Sequence, residues 1–174
     1  MLKVTNDFDL MEMMLFFWDS VSEKEKVSDE YFATIASRNE MKVLYNSEFT
    51  ERSVSKVLSA ISNREKLNDR TKSESRFWNN NMRMLDDSEM RKLLIAPVKV
   101  LNFAELEAKH PESSRTIKCV FVPGYDEEYY VSGDTVYINF FKLFNDMDKP
   151  EKIVMDGKPF KERIFEIIES TLVV

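Results

Sequence analysis

His110 is the only histidine and Cys119 the only cysteine in the chain. Any Ser–His–Asp or Cys–His relay would therefore have to run through one of these two side chains. His110 lies in AKHPESS, before Pro111, in a polar stretch that reads as an exposed turn. No G-x-S-x-G elbow occurs to supply a nucleophile. Cys119 lies in TIKCVFV among apolar neighbours, where a thiol is expected to be buried and inert. With one cysteine and one histidine, neither a disulfide nor a zinc site of Cys and His ligands is expected. The acidic runs DEE at 126–128 and DMD at 146–148 lack calcium-loop spacing. No glycine-rich phosphate loop is present, and glycine is scarce, at 3 residues. The expectation is no metal, no cofactor and no recognisable catalytic group.

Two stretches stand out instead. The first is RFWNNN, with Arg76, Trp78, Asn79, Asn80 and Asn81, followed by Arg83. It sits in a segment, 63–83, that also holds Arg64, Lys66, Arg70 and Lys72 and carries a net charge of +3 in a chain of net charge −6. Adjacent asparagines favour turns, because asparagine tolerates left-handed backbone angles and bonds its own chain. One reading is a loop pinned by Phe77 and Trp78. The other is a polar, aromatic platform with cations, suited to a phosphate, a sugar or a base. The second stretch is YDEEYY, with Asp126, Glu127, Glu128, Tyr129 and Tyr130. A tyrosine amid carboxylates can anchor a basic partner, because it buries area while keeping a hydroxyl to bond.

The elements around these stretches divide into a helical part, about 1–95, and a mixed part, about 96–174, of one expected domain spanning 1–174. Apolar spacing predicts a helix over 7–21, broad enough in its apolar surface for a core or a homodimer contact. Ser28 and Thr50 are N-cap residues for two more helices, at 28–37 and 50–62. Val54, Val57, Leu58 and Ile61 recur at helical spacing in the second of these. A helix over 87–95 is expected to stop at Pro97, with PVKVLN as a short strand and FAELEAKH as a short helix. TIKCVFV reads as a strand, and Ser132–Gly133–Asp134 as the turn of a hairpin. A further turn falls at Asp156–Gly157, and a helix over FKERIFEIIESTL closes the chain. The expected class is α+β: a helical N-terminal portion beside a small antiparallel sheet covered by a C-terminal helix.

Three function classes follow. The first is a non-catalytic binding protein in a reducing, cytoplasmic setting, with no membrane span and a basic protein as partner. In general character (small, acidic, without a catalytic signature) the chain resembles bacterial toxin-neutralising immunity proteins, a resemblance of type that carries over no residue. The alternative is binding of nucleic acid or another anionic ligand. It would use a helix-turn-helix-like unit whose third helix presents Arg52, Ser53, Lys56 and Arg64, with the basic 63–83 segment adding contacts. An enzyme of unrecognised type is third.

Overall fold

The computed structural model describes residues 1–173, and the α+β class holds. Cα packing separates the chain into two compact units. One comprises Asp9–Ser88 and Val122–Glu127; the other comprises Met1–Phe8, Glu89–Phe121 and the chain from Glu128 on.

The first unit is helical. Its elements are α1 (Asp9–Ser22), α2 (Asp29–Ala36), a 3-10 turn (Asn39–Leu44), α3 (Glu51–Asn63) and α4 (Lys72–Asp86). Ser28 caps α2 by accepting from the Tyr31 N–H, and Thr50 and Thr71 begin α3 and α4 with reciprocal capping boxes. Helix α3 packs on both α2 and α4, and α1 packs on α4. The expected face of α3 is buried through Val54, Val57, Leu58 and Ile61. Phe17 meets Phe32 edge-on at 5.7 Å, and Phe49 meets Phe77 at 5.1 Å, so aromatic pairs carry much of this core. Helix α3 ends at Arg64, which takes a left-handed conformation (φ 56°). There the Glu65 N–H donates to the Ala60 carbonyl at 2.8 Å and the Arg64 N–H to that of Ile61 at 3.2 Å, a Schellman closure with arginine where glycine is usual.

The second unit holds two small sheets. In the first, strand order is β1 (Lys3–Asp7), β2 (Thr116–Val122), β4 (Thr135–Asn139), β3 (Tyr129–Ser132). Strands β1 and β2 are parallel, with Val4 opposite Ile117, while β3 and β4 form the expected hairpin around Gly133. In the second, β5 (Leu143–Asn145), β6 (Ile153–Met155) and β7 (Lys158–Pro159) are antiparallel. Asp156 and Gly157 join β6 to β7 with positive φ at both positions, which explains the Asp-Gly pair. Helix α7 (Phe160–Leu172) packs on β6 and β7 and buries Ile164, Phe165, Ile167 and Ile168.

Four expectations are corrected. RFWNNN is no loop: it lies wholly inside α4. Helix α5 (Ser88–Lys99) runs through Pro97, so PVKVLN contains no strand. Pro97 is two residues from the end, so α5 has only its last turn to complete after it, and the Asn6 amide reaches the carbonyls of Val98 and Lys99 at that end, and that of Leu101 just beyond it, at 3.3–3.4 Å. The first residues form β1, which the reading of 7–21 as the first element missed. His110, two residues after α6 (Ala104–Ala108), is half-buried rather than exposed; its Nε2 lies 2.9 Å from Glu169 Oε2.

No helix among the described residues is long and apolar enough to cross a membrane.

Candidate functional site

Threading RFWNNN into a helix gives each of its residues a separate direction. The side chains of α4 at positions 77, 81 and 84 point into the core: Phe77, Asn81 and Met84 are all buried. Asn81 is completely buried yet satisfied. Its Oδ1 accepts from Trp18 Nε1–H at 2.9 Å, and its amide donates to the Phe77 carbonyl one turn back at 2.9 Å. Asn80 donates to the carbonyl of Gly124 at 3.1 Å and so ties the 122–127 segment to α4. Arg76 reaches the same segment through an ion pair with Asp126 at 3.1 Å. Arg83 is half-buried, and that burial pulls its guanidinium down to about 10.

Trp78 and Asn79 face the other way. Trp78 is half-buried and Asn79 exposed, and both line a cavity of about 340 Å³ with Lys66, Leu67, Asn68, Arg70 and Ser75. Trp78 also lines a second cavity of about 420 Å³, where Val21, Ile61, Arg64, Met82 and Leu85 are among its neighbours. The indole therefore borders both hollows. Its Nε1–H is shielded and has no acceptor. A third, shallower hollow lies at the first turn of α4, lined by Arg70, Thr71, Lys72, Ser75 and Arg76. Arg70 Nη1 donates to the Leu67 carbonyl at 2.8 Å, which holds the loop 64–71 in shape. Both cavities bordering Trp78 have the size of small-ligand sites, about 300–1,000 Å³.

Of the four side chains singled out in this segment, Arg64 and Trp78 share a cavity. Arg76 lies in the hollow at the start of α4, and Arg83 is drawn toward the interior. The face of α3 expected to read nucleic acid is largely engaged. Ser53 is buried in the α3 capping box, and Lys56 Nζ lies 3.0 Å from Glu74 Oε1 and 2.8 Å from the Asp69 carbonyl. Arg52 remains exposed.

YDEEYY does not form one acidic patch. Tyr125 is fixed between the Leu44 carbonyl (2.8 Å) and the Asn46 amide (2.9 Å), with its ring 4.6 Å from Phe49. Asp126 pairs with Arg76, and Glu128 Oε1 accepts from both Nε and Nη2 of Arg163. Glu127 is exposed. Tyr129 and Tyr130 are half-buried on β3, opposite Ile138 and Tyr137. On α1, Phe16 alone among the large apolar side chains is strongly exposed, at 54%, and its ring lies 5.2 Å from Tyr31.

Cys119 is poorly placed for covalent chemistry. Cys119 is completely buried, and burial together with the nearby Asp7 pushes its thiol far above the usual range. Sequence reasoning counted Lys66 and Arg70 in the basic segment but missed Ser75, Met82 and Leu85 as lining residues. Their spacing with Trp78 was the available signal; it was hidden by reading the asparagines as a helix break. Compared with known proteins, the chain matches no family model, no curated protein and no solved structure.

Proposed function

We propose that the protein is a binding protein without catalysis of its own, and that its ligand is anionic and seats against Trp78. The observation that supports this reading is the cavity whose lining combines Lys66 and Arg70 with the half-buried indole of Trp78 and contains no carboxylate. A cation beside an aromatic face and an apolar floor is a common means of orienting a charged ligand. Neither Lys66 nor Arg70 forms a salt bridge with a described residue, so their charge is available to a ligand.

The test is titration of the whole chain at low salt with inorganic phosphate, AMP and octanoate, read by calorimetry and by tryptophan emission. At least one anion should bind, and affinity should fall about tenfold in Lys66→Ala and in Arg70→Ala, near the loss of one charge-assisted hydrogen bond. Binding untouched by both substitutions, or no binding of any anion, rules the site out.

A second reading, an inhibitor of a basic protein, is supported by the net charge of −6 and by exposed Asp126 and Glu127. It ranks lower because Asp126 and Glu128 already have arginine partners. Unchanged capture of a basic partner by an Asp126→Ala, Glu127→Ala chain would remove this surface from consideration.

A further inference from the structure

We propose, resting on the anion-binding reading, that the ligand is bipartite: a carboxylate or phosphate head on a flexible aliphatic body, laid along α4. Ser75, Trp78, Met82 and Leu85 are spaced three, four and three residues apart, so they form one stripe on that helix. At 1.5 Å per residue the stripe from Ser75 to Leu85 is about 15 Å long. Both cavities open on it, and Trp78 belongs to both.

The two ends differ in chemistry. Toward the start of α4 the lining carries Lys66 and Arg70 with no acid, and Lys72 and Arg76 lie just beyond. Toward the end of α4 the apolar lining is Val21, Ala60, Ile61, Trp78, Met82 and Leu85, with Ser22 beside them, and Arg64 is offset by Glu65 and Asp86. An anionic head therefore belongs at the first end and an apolar body at the second. The wall of the second cavity is branched or flexible, and Trp78 is its only ring, so it suits an alkyl chain better than a stacked base. Val21, Trp78, Met82 and Leu85 are all half-buried, which leaves some apolar area to be covered.

The experiment is calorimetric titration of the whole chain with butanoate, hexanoate and octanoate, and with inorganic phosphate, 1-octanol and AMP. Affinity should rise about fourfold for each added methylene. Octanol should bind at least tenfold more weakly than octanoate. Lys66→Ala should weaken octanoate about tenfold, and Leu85→Ser should flatten the chain-length series while leaving phosphate binding as it was. Met82→Ser is the second variant for the same wall should Leu85→Ser fail to fold. Equal affinity for butanoate and octanoate, or tighter binding of AMP than of octanoate, overturns the bipartite ligand and leaves the anion site standing. Octanol binding as tightly as octanoate overturns the head assignment. Failure of every anion to bind overturns both readings together.

Discussion

Trp18 Nε1–H donates to Asn81 Oδ1 at 2.9 Å, and neither residue has any exposed surface. The bond joins α1 to α4 across 63 positions of sequence and satisfies the one polar atom of a buried indole. Asn81 returns its own amide to the Phe77 carbonyl, so both ends of the side chain are used. Removing the amide in Asn81→Ala leaves a buried donor unpaired and should cost about 1–3 kcal/mol. Urea denaturation checks this. In a double-mutant cycle with Trp18→Phe, the two losses should be non-additive, because each variant removes the same bond.

Glu74 should make stability depend on acid pH. The side chain is nearly buried, and burial alone would raise its carboxyl; hydrogen bonds from Ser53, Thr71 and Lys56, with the charge on Lys56, overcome this and hold it below the usual glutamate value. A carboxyl lowered on folding stabilises fully above its unfolded pKa, about 4.3, and that contribution is lost as pH falls through the lower folded value. Glu74→Gln should cost about 0.5–1 kcal/mol at neutral pH, the scale of a partly exposed ion pair. The gap between the two proteins should close as pH falls below the carboxylate range. A gap that persists undiminished in acid would contradict this account.

The Cys119 thiol should resist modification in the folded protein. It lies on β2, completely buried, and its ionisation is opposed by burial and by the Asp7 carboxylate. A thiol-specific disulfide reagent at mild alkaline pH should react only as fast as the strand is exposed by unfolding. Addition of urea should raise the rate steeply. Rapid reaction without denaturant would mean that β2 opens locally.

Arg64 occupies the left-handed closing position of α3 at φ 56°, where a side chain brings a steric cost that glycine avoids. Arg64→Gly should leave the Schellman bonds intact and raise stability by up to about 1 kcal/mol. Thermal denaturation measures it. A loss of stability would mean that the arginine side chain contributes more than its backbone conformation costs.

Much of the architecture is local and therefore legible in the residues. Helix α3 announces itself through Thr50 and the spacing of Val54, Val57, Leu58 and Ile61. The β3–β4 hairpin follows from Gly133, the β6–β7 turn from Asp156–Gly157, and α7 from its apolar face. Each depends on neighbours within a few positions, so periodicity and turn chemistry suffice. The candidate site was half legible: the cationic segment and Trp78 were visible, but the stripe that carries Met82 and Leu85 was not.

What tertiary structure decided lies where a distant group overrides a local preference. Three consecutive asparagines favour a break, yet α4 continues because Trp18 and the Gly124 carbonyl satisfy two of their amides. Pro97 should stop α5, yet the helix runs on to Lys99, where the Asn6 amide caps its last carbonyls. Strand β1 exists only beside β2, whose paired residues lie more than a hundred positions away. The chain by itself determined which segments are amphipathic and where they turn. Only the folded arrangement could determine which buried polar groups find partners, and with that which face of α4 remains uncovered.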